Sequence, residues 1–201
     1  MLDITIFTLI VLLFSIIIHE IAHGSVAYSL GDPTAKYAGR LTLNPLKHLD
    51  LFGSVILPLL LFIIRSPILF GYAKPVPINP YNFRNQKWGS LKVAIAGPAA
   101  NFSIAIIFGF SVRFLNLPEQ LADFFVLVTF YNILLGLFNL IPIPPLDGSW
   151  ILFTFLSEGL ENVKIFLQQY GFFILIFFIF FGGLNFLFWA VEKISFLIIG
   201  I

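Results

Sequence analysis

One apolar run constrains the fold of this chain more than any other feature. Residues 4–30 are mostly apolar, but positions 19–23 within the run read His-Glu-Ile-Ala-His. The run is long enough for an α-helix to cross a bilayer. A single segment in lipid must be helical, because only then are its backbone N–H and C=O groups hydrogen-bonded within the segment. Positions 19 and 23 then share one helix face. The sequence therefore predicts a membrane helix that carries two imidazoles and a carboxylate near its C-terminal end.

Composition indicates an integral membrane protein. Of the 201 residues, 59% are hydrophobic and only 10% are charged, whereas about a quarter of the residues in a soluble domain are charged. The chain has no cysteine, which excludes disulfides, thiolate metal ligands and a cysteine nucleophile. The net charge of +1 comes without a basic cluster interleaved with aromatic residues, so no nucleic acid is expected as a partner. We expect a single membrane-embedded domain over residues 1–201, with the lipid bilayer as its surroundings.

Further apolar runs predict the number of membrane crossings. The run 51–64 is short and is broken by Pro58, which favours a re-entrant segment within residues 51–70 over a full crossing. The adjacent Gly182 and Gly183 predict either a kink in the last span or a close approach to a neighbouring helix. Runs long enough for a full crossing lie at 91–115, 121–141 and 165–189.

The segments between the spans predict two local features. Between residues 37 and 44, Leu41 and Leu43 alternate with Thr42, which predicts a short strand whose edge could hold an unwound peptide. The Pro-rich stretch 72–88 predicts an extended loop, which together with residues 51–70 would wall a water-filled cavity. The predicted fold class is an all-α polytopic membrane protein with a re-entrant segment and a short β element after the first helix.

The spacing of His19 and His23 is typical of a shared metal site. Two imidazoles four residues apart on a helix can bind one zinc ion, and Glu20 beside them is placed to act as a general base. A catalytic zinc usually takes three protein ligands, so the third ligand must come from another segment. The candidates for this third ligand are His48, Asp50, Asp147, Glu158 and Glu161.

Asp147 is the best placed of these candidates. It follows the apolar run that ends at Ile141, much as His23 lies near the end of the first run. If Asp147 meets His19 and His23, the first and third spans must end on the same side of the membrane. A single complete crossing must then lie between them, and residues 91–115 provide it. The segment 51–64 must then return to the side from which it entered. The alternative role for Asp147 is that of an ordinary helix N-cap.

Charge gives an independent argument for this topology. Basic residues concentrate on the cytoplasmic side of membrane proteins. If the histidine end of the first helix faces the cytoplasm, only Arg113 and Lys193 lie outside. We therefore expect a multi-pass protein of a prokaryotic plasma membrane, with its metal site toward the cytoplasm. The residues placed inside are Lys36, Arg40, Lys47, Arg65, Lys74, Arg84, Lys87, Lys92 and Lys164.

Three motifs together resemble the site-2 protease family of intramembrane zinc metalloproteases. They are His-Glu-Ile-Ala-His at 19–23, Gly-Pro-Ala-Ala-Asn at 97–101, and Asn139 followed by Leu-Asp-Gly at 146–148, in this order on three spans. The likeness is to the short form without a PDZ domain, because no insertion between the second and third spans could hold one. It implies a three-helix catalytic core over about residues 4–156, followed by a further C-terminal span at about 165–189.

The resemblance also implies a site and an activity. One Zn²⁺ per chain would be bound by His19, His23 and Asp147, with Glu20 as the catalytic base. The implied partner is a transmembrane protein or peptide substrate, which is cut in or near its membrane segment during regulated proteolysis or clearance of signal-peptide remnants.

Two asparagines lie near this site by the same resemblance. Asn139 could contact the substrate backbone or the oxyanion, or it could form a hydrogen bond between helices. For Asn101 we expect a packing role in the core. The alternative functions are a divalent-metal transporter or channel with a His/Asp pathway, and a non-catalytic membrane-binding protein. The sequence leaves the oligomeric state open.

Overall fold

The computed structural model describes residues 2–56, 59–60, 63–64 and 74–200. Within these ranges the chain is built from α-helices, short 3₁₀ or π turns and irregular loops, and the described residues contain no β-strand. The α-helices are α1 (Leu2–Ser29), α2 (Thr34–Tyr37), α3 (Gln86–Phe114), α4 (Glu119–Asn139), α5 (Asp147–Phe155), α6 (Glu161–Phe178) and α7 (Leu184–Ile199).

Four helical stretches of the described chain are long and apolar enough to cross a membrane: Ile6–Ser29, Gln86–Phe114, Glu119–Asn139 and Glu161–Ile199. They correspond to the four predicted spans, so the protein is an all-α polytopic membrane protein. In the last stretch, a π turn at Ile179–Gly183 joins α6 to α7, and Gly182 has a φ of 98°. This left-handed conformation favours glycine, and of the two alternatives predicted for these glycines, the kink is confirmed.

The spanning helices pack as a bundle in which α3 is central. It packs against both α1 and α4, and α7 covers α3 and α4. Three fully buried side chains, Ala105, Ile133 and Val191, form a core where α3, α4 and α7 meet. Lipid gives helices little hydrophobic reason to associate, so close van der Waals packing of this kind holds them together.

The Pro-rich loop is held against the C-terminal end of α1. Phe83 of the loop packs in a buried cluster with Ala27 and Val93. Asp32, which is fully buried, accepts hydrogen bonds from the Asn79 backbone N–H at 2.7 Å and from the Asn82 side-chain amide at 2.7 Å. The loop is therefore fixed both by apolar packing and by a buried carboxylate.

The prediction of a strand within residues 37–44 is wrong. Residues 41–43 form bends, because nearby side chains use the local backbone groups. The imidazole of His48 donates from Nε2 to the Thr42 carbonyl oxygen at 2.8 Å. The Asn44 side chain accepts from the Leu46 N–H at 3.0 Å and caps the 3₁₀ turn Pro45–Lys47. Without a strand here, there is no edge to which a peptide could add.

The predicted re-entrant segment lies largely outside the described residues. Leu51–Ile56 form a π-helical turn. Residues 57–58, 61–62 and 65–73 are not described, so the path of the segment within 51–70 stays a prediction.

We predict that Asp32 anchors the loop in a pH-dependent way. Burial raises the pKa of the Asp32 carboxyl, but the donors from Thr34, Asn79 and Asn82 favour its charged form and hold the pKa below its usual range. Its stabilising effect is thus present above the unfolded value of 3.8 and is lost as pH falls through the folded pKa. Asp32→Asn should lower the free energy of unfolding by about 1–3 kcal/mol near neutral pH, because the donors lose their charged acceptor.

Thermal unfolding of the purified protein across pH measures this effect. The difference between wild type and Asp32→Asn should shrink as the solution is acidified below pH 3.8. Asp123→Asn, which removes an exposed carboxylate from α4, is the charge-matched control and should leave stability nearly unchanged. Equal stability of Asp32→Asn and wild type at neutral pH would contradict the anchor.

Candidate active site

Three potential ligand atoms converge where α1 and α5 meet. His19 and His23 lie one helical turn apart on α1, and Asp147 is the first residue of α5. The Nε2 atoms of the two imidazoles are 3.0 Å apart. The Asp147 Oδ2 atom lies 3.0 Å from Nε2 of His19 and 3.1 Å from Nε2 of His23. These three side chains form a group that could hold a metal ion.

Asp147 reaches the imidazoles because of the turn that follows α4. After Asn139 the chain folds back through two short turns, with backbone bonds from Ile143 to Ile141 and from Leu146 to Ile143. Leu146 takes the N-cap position of α5. Asp147 therefore lies inside the first turn and does not cap it, so the alternative N-cap role does not describe its geometry.

Hydrogen bonds on the far side of each imidazole fix the direction of its lone pair. The Nδ1–H of His23 donates to the Val93 carbonyl oxygen at 2.6 Å, and the Nδ1–H of His19 donates to Asn101 Oδ1 at 2.6 Å. A carbonyl oxygen can only accept, so His23 carries its proton on Nδ1. Both Nε2 atoms then present lone pairs to the centre, as metal-ligating histidines do.

The orientation of Asn101 is itself set by a buried chain of hydrogen bonds. Asn132 donates from Nδ2 to the Val128 carbonyl oxygen and to Ser15 Oγ, both at 2.9 Å. Its Oδ1 must then face Asn101 Nδ2, which donates to it at 2.9 Å. This leaves Asn101 Oδ1 toward His19. Asn101 is fully buried in the core, as expected, and it also accepts a hydrogen bond from His19. Sequence reasoning did not identify Asn132 or Ser15.

The donor set fits a zinc ion. Two imidazole lone pairs and a carboxylate oxygen, all acceptors, lie within 3.1 Å of one another, and such an arrangement is repulsive without a cation between them. Ligands about 2.0–2.2 Å from a tetrahedral zinc would be about 3.4 Å apart. The three ligand atoms would need to move apart by only about a few tenths of an ångström to coordinate the ion. Two nitrogens and one oxygen are also a common catalytic zinc set.

Gly97 on α3 makes room for these atoms. A Cβ at this position would lie 2.3 Å from Nε2 of His23 and 2.5 Å from Nε2 of His19. The glycine of the Gly-Pro-Ala-Ala-Asn motif therefore borders the ligand atoms directly.

Glu20 faces the same space and is tied to the Pro-rich loop. Its Oε2 accepts a hydrogen bond from the Val76 backbone N–H at 2.7 Å. A cavity of about 400 Å³ opens beside the ligand atoms, and the predicted role of the Pro-rich loop as a cavity wall is confirmed. The lining includes His19, Glu20, His23, Asn139 and Asp147, together with Pro75, Val76, Ile78 and Pro80 of the loop.

The other candidate ligands lie apart from this group or bond elsewhere. His48 is buried in the loop after α2 and bonds Thr42, while the Asp50 carboxylate accepts from the Phe52 and Gly53 backbone. Asn139 lines the cavity, and its Nδ2 donates to the Leu135 carbonyl oxygen of its own helix at 3.0 Å. Among the residues that the structure describes, the metal-binding group contains only His19, His23 and Asp147.

Comparisons with known proteins show the family of this chain. The family model for peptidase family M50 matches residues 116–181. The protein YwhC of Bacillus subtilis, whose name describes a zinc metalloprotease, is 38% identical over 175 residues, covering 83% of this chain and 76% of YwhC. The similarly named Rip2 of Mycolicibacterium smegmatis is 28% identical over 166 residues, covering 82% of this chain and 62% of Rip2. No solved structure matches the chain.

The fold and the site define a polytopic membrane protein of the zinc metalloprotease class. In particular, the chain belongs to peptidase family M50, the site-2 protease family. It corresponds to the short form, since only residues 115–118 separate α3 from α4 and no domain is inserted there. The resemblance stated from the sequence is confirmed, and so is zinc as the metal of this family.

We predict that Gly97→Ala abolishes zinc binding without unfolding the bundle. The added methyl group would occupy space within 2.6 Å of both imidazoles, so at least one must turn away from the centre. Gly109→Ala on the same helix is the control, because its methyl group would meet Ile198 at 2.4 Å, far from the site in sequence. That variant should lose about 1–3 kcal/mol of stability by overpacking but retain its zinc. Zinc per chain, measured after purification, checks both; full zinc content in Gly97→Ala would refute the prediction.

A second prediction concerns Asn132, which contacts neither histidine. Replacing it by leucine removes the donor and acceptor that orient Asn101, so the His19 ring loses its fixed tautomer. Zinc affinity should fall about 10–100-fold, as is usual when a partner of a metal-binding histidine is lost. Thr129→Val removes a different buried polar group from α4, a hydroxyl, and should leave the affinity unchanged. Competition with a zinc chelator measures the affinities, and equal values for Asn132→Leu and wild type would contradict the role of this chain of bonds.

Proposed function

We propose that this protein is an intramembrane endopeptidase that cuts peptide bonds in or near transmembrane segments of other membrane proteins. In this proposal His19, His23 and Asp147 are the zinc ligands and Glu20 is the catalytic base. The observation that carries it is the convergence of the three ligand atoms beside Glu20 in one cavity. The proposal treats residues 1–201 as one domain, with a catalytic core over about 4–156 and an added C-terminal span over about 165–189.

The depth of the site supports action within the membrane. His19 lies ten residues before the end of α1, which is about 15 Å along a helix. A bilayer has a hydrocarbon core about 30 Å thick, so a helix end near its surface would place His19 well inside. Both histidines are buried in the protein, which is where polar groups at that depth must lie.

The cavity beside the site suits a peptide that has left its helical form. Carbonyl groups in a helix are paired with backbone N–H groups, so a scissile carbonyl becomes accessible only after local unwinding. The cavity of about 400 Å³ includes polar side chains and backbone of the Pro-rich loop, and can admit both water and an extended strand of substrate. A membrane helix that unwinds near its end would expose a scissile carbonyl while losing the fewest backbone hydrogen bonds.

Glu20 is positioned to move the protons of hydrolysis. Val76 occupies its Oε2 atom, so Oε1 is the oxygen that would accept a proton from the attacking water and later return it to the leaving amine. The Val76 bond also keeps the carboxylate turned toward the cavity. Zinc, when bound, supplies Lewis-acid polarisation of the scissile carbonyl and makes water more acidic.

Asn139 is proposed to hold substrate within the same cavity. One hydrogen of its amide is used by the Leu135 carbonyl oxygen, and a primary amide has a second hydrogen to donate. That hydrogen could bind a substrate carbonyl or the oxyanion.

The excess of basic residues on the histidine side supports a cytoplasmic orientation of the site in the plasma membrane.

We predict that Glu20→Gln keeps zinc but loses cleavage. Glutamine has nearly the same shape and can still accept from Val76, but it cannot take a proton from water. The rate of cleavage of a transmembrane test substrate should fall at least about 100-fold, while zinc per chain stays at the wild-type level. Unchanged cleavage by this variant would rule out Glu20 as the base.

Asp147→Ala is the contrasting variant. It removes one of the three ligand atoms, so zinc content and cleavage should fall together. Normal zinc content in Asp147→Ala would overturn the assignment of the third ligand. Cleavage of a soluble, unstructured peptide at the same rate as the membrane substrate would argue against specificity for membrane segments.

A further inference from the structure

A second cavity, apart from the catalytic one, lies between the loop after α2 and the Pro-rich loop. Its volume is about 490 Å³. Three of its lining residues are cations, and among the described residues its lining contains no carboxylate. The residues that line it are Ala38, Arg40, Leu46, Lys47, Leu49, Lys74, Pro75 and Pro77.

The walls of this cavity are joined by specific hydrogen bonds. The Lys74 backbone N–H donates to the His48 carbonyl oxygen at 2.9 Å. The Arg40 guanidinium donates from Nη2 to the carbonyl oxygens of Lys74 and Pro75. The two loops that form the cavity are therefore joined to each other, and the Arg40 guanidinium is held by the backbone of the Pro-rich loop.

Arg40 carries a buried charge that the described protein residues do not neutralise. Its side chain is only 5% exposed, and no ion pair with a carboxylate is formed within the described part of the chain. Its Nε–H is buried without an acceptor among those residues. Buried donors and charges in native proteins are nearly always satisfied, so this guanidinium points to an anion that the protein takes from outside.

The chemistry of the lining selects the kind of anion. A guanidinium flanked by two ammonium groups is suited to phosphate, which arginine binds through several oxygens at once. The same lining contains Leu46 and Leu49, which are 73% and 41% exposed, so apolar surface borders the charges. A phosphate joined to acyl chains matches both parts, and basic pockets of membrane proteins bind lipid headgroups in this way.

We propose that this cavity binds the phosphate group of an anionic membrane lipid. The phosphate lies among Arg40, Lys47 and Lys74, and the acyl chains leave over Leu46 and Leu49. The Arg40 guanidinium keeps its hydrogen bonds to the Lys74 and Pro75 carbonyl oxygens and contributes its positive charge to the cavity wall. Pro75 lines this cavity and the catalytic one, so the lipid would lie against the loop that holds Glu20 through Val76.

Native mass spectrometry of the full chain in a neutral detergent tests the proposal. Short-chain phosphatidylglycerol should bind saturably with one molecule per chain, whereas phosphatidylcholine of the same chain length should not. The double variant Lys47→Gln with Lys74→Gln should bind at least about tenfold more weakly, since each basic group near an anionic headgroup adds to its affinity. This pair of changes spares Arg40, whose loss could loosen both loops.

The charge-matched control is Lys36→Gln with Lys87→Gln, two exposed lysines outside the cavity. Affinity should be unchanged in this pair. Equal weakening in both double variants would overturn the proposal, because it would mean that the lipid follows general surface charge. Inorganic phosphate that binds as tightly as the lipid would also overturn it in favour of a soluble anion. Zinc content and cleavage do not enter this measurement, so its outcome is separate from that of the proposed protease function.

Discussion

The close approach of α1 and α3 at Gly97 is the constraint on which the site depends. With only a hydrogen atom at that position, the backbone of α3 comes against the imidazoles of His19 and His23. The same approach brings the Val93 carbonyl oxygen to one ring and the Asn101 side chain to the other. A larger residue would separate the helices and break both contacts. The geometry of a metal site thus follows from one small residue on a neighbouring helix.

Burial makes the hydrogen-bond chain behind the histidines effective. Asn101 and Asn132 are fully buried, where an unpaired amide is costly. Each amide group is therefore held in one orientation, starting from the Val128 carbonyl oxygen, which can only accept. The position of the proton on His19 is therefore set by a carbonyl group three hydrogen bonds away. A water-exposed asparagine would lose this directional effect, because water can act as donor or acceptor.

The Pro-rich loop connects three parts of the molecule. Asp32 and Phe83 fix it to the end of α1, Val76 bonds Glu20, and Arg40 holds the carbonyl oxygens of Lys74 and Pro75. Prolines limit the conformations of this loop before any of these contacts form. The loop is therefore a wall of the catalytic cavity with little freedom to withdraw from it, and any motion there would move the carboxylate of Glu20 with it.

The sequence by itself predicted the four spans and the pairing of His19 with His23. It predicted a kink at Gly182 as one of two alternatives and favoured Asp147 among five candidates for the third ligand. Long apolar runs must be helical in lipid, and the fixed rise of a helix puts His19 and His23 on one face. By the parity of the crossings, Asp147 lies on their side of the membrane if residues 51–64 return to the side from which they entered. These inferences needed only local periodicity and the thickness of a bilayer.

Only the tertiary structure decided what surrounds those residues. The roles of Asn101, Asn132 and Ser15 depend on side-chain orientations across three helices, and no spacing in the sequence encodes them. The alternation at Leu41–Leu43 predicted a strand, but capping by His48 and Asn44 determined the backbone instead. The cavity around Arg40 joins residues from two loops that are far apart in sequence. Contacts between distant segments are fixed when the helices pack, so they are absent from any local pattern.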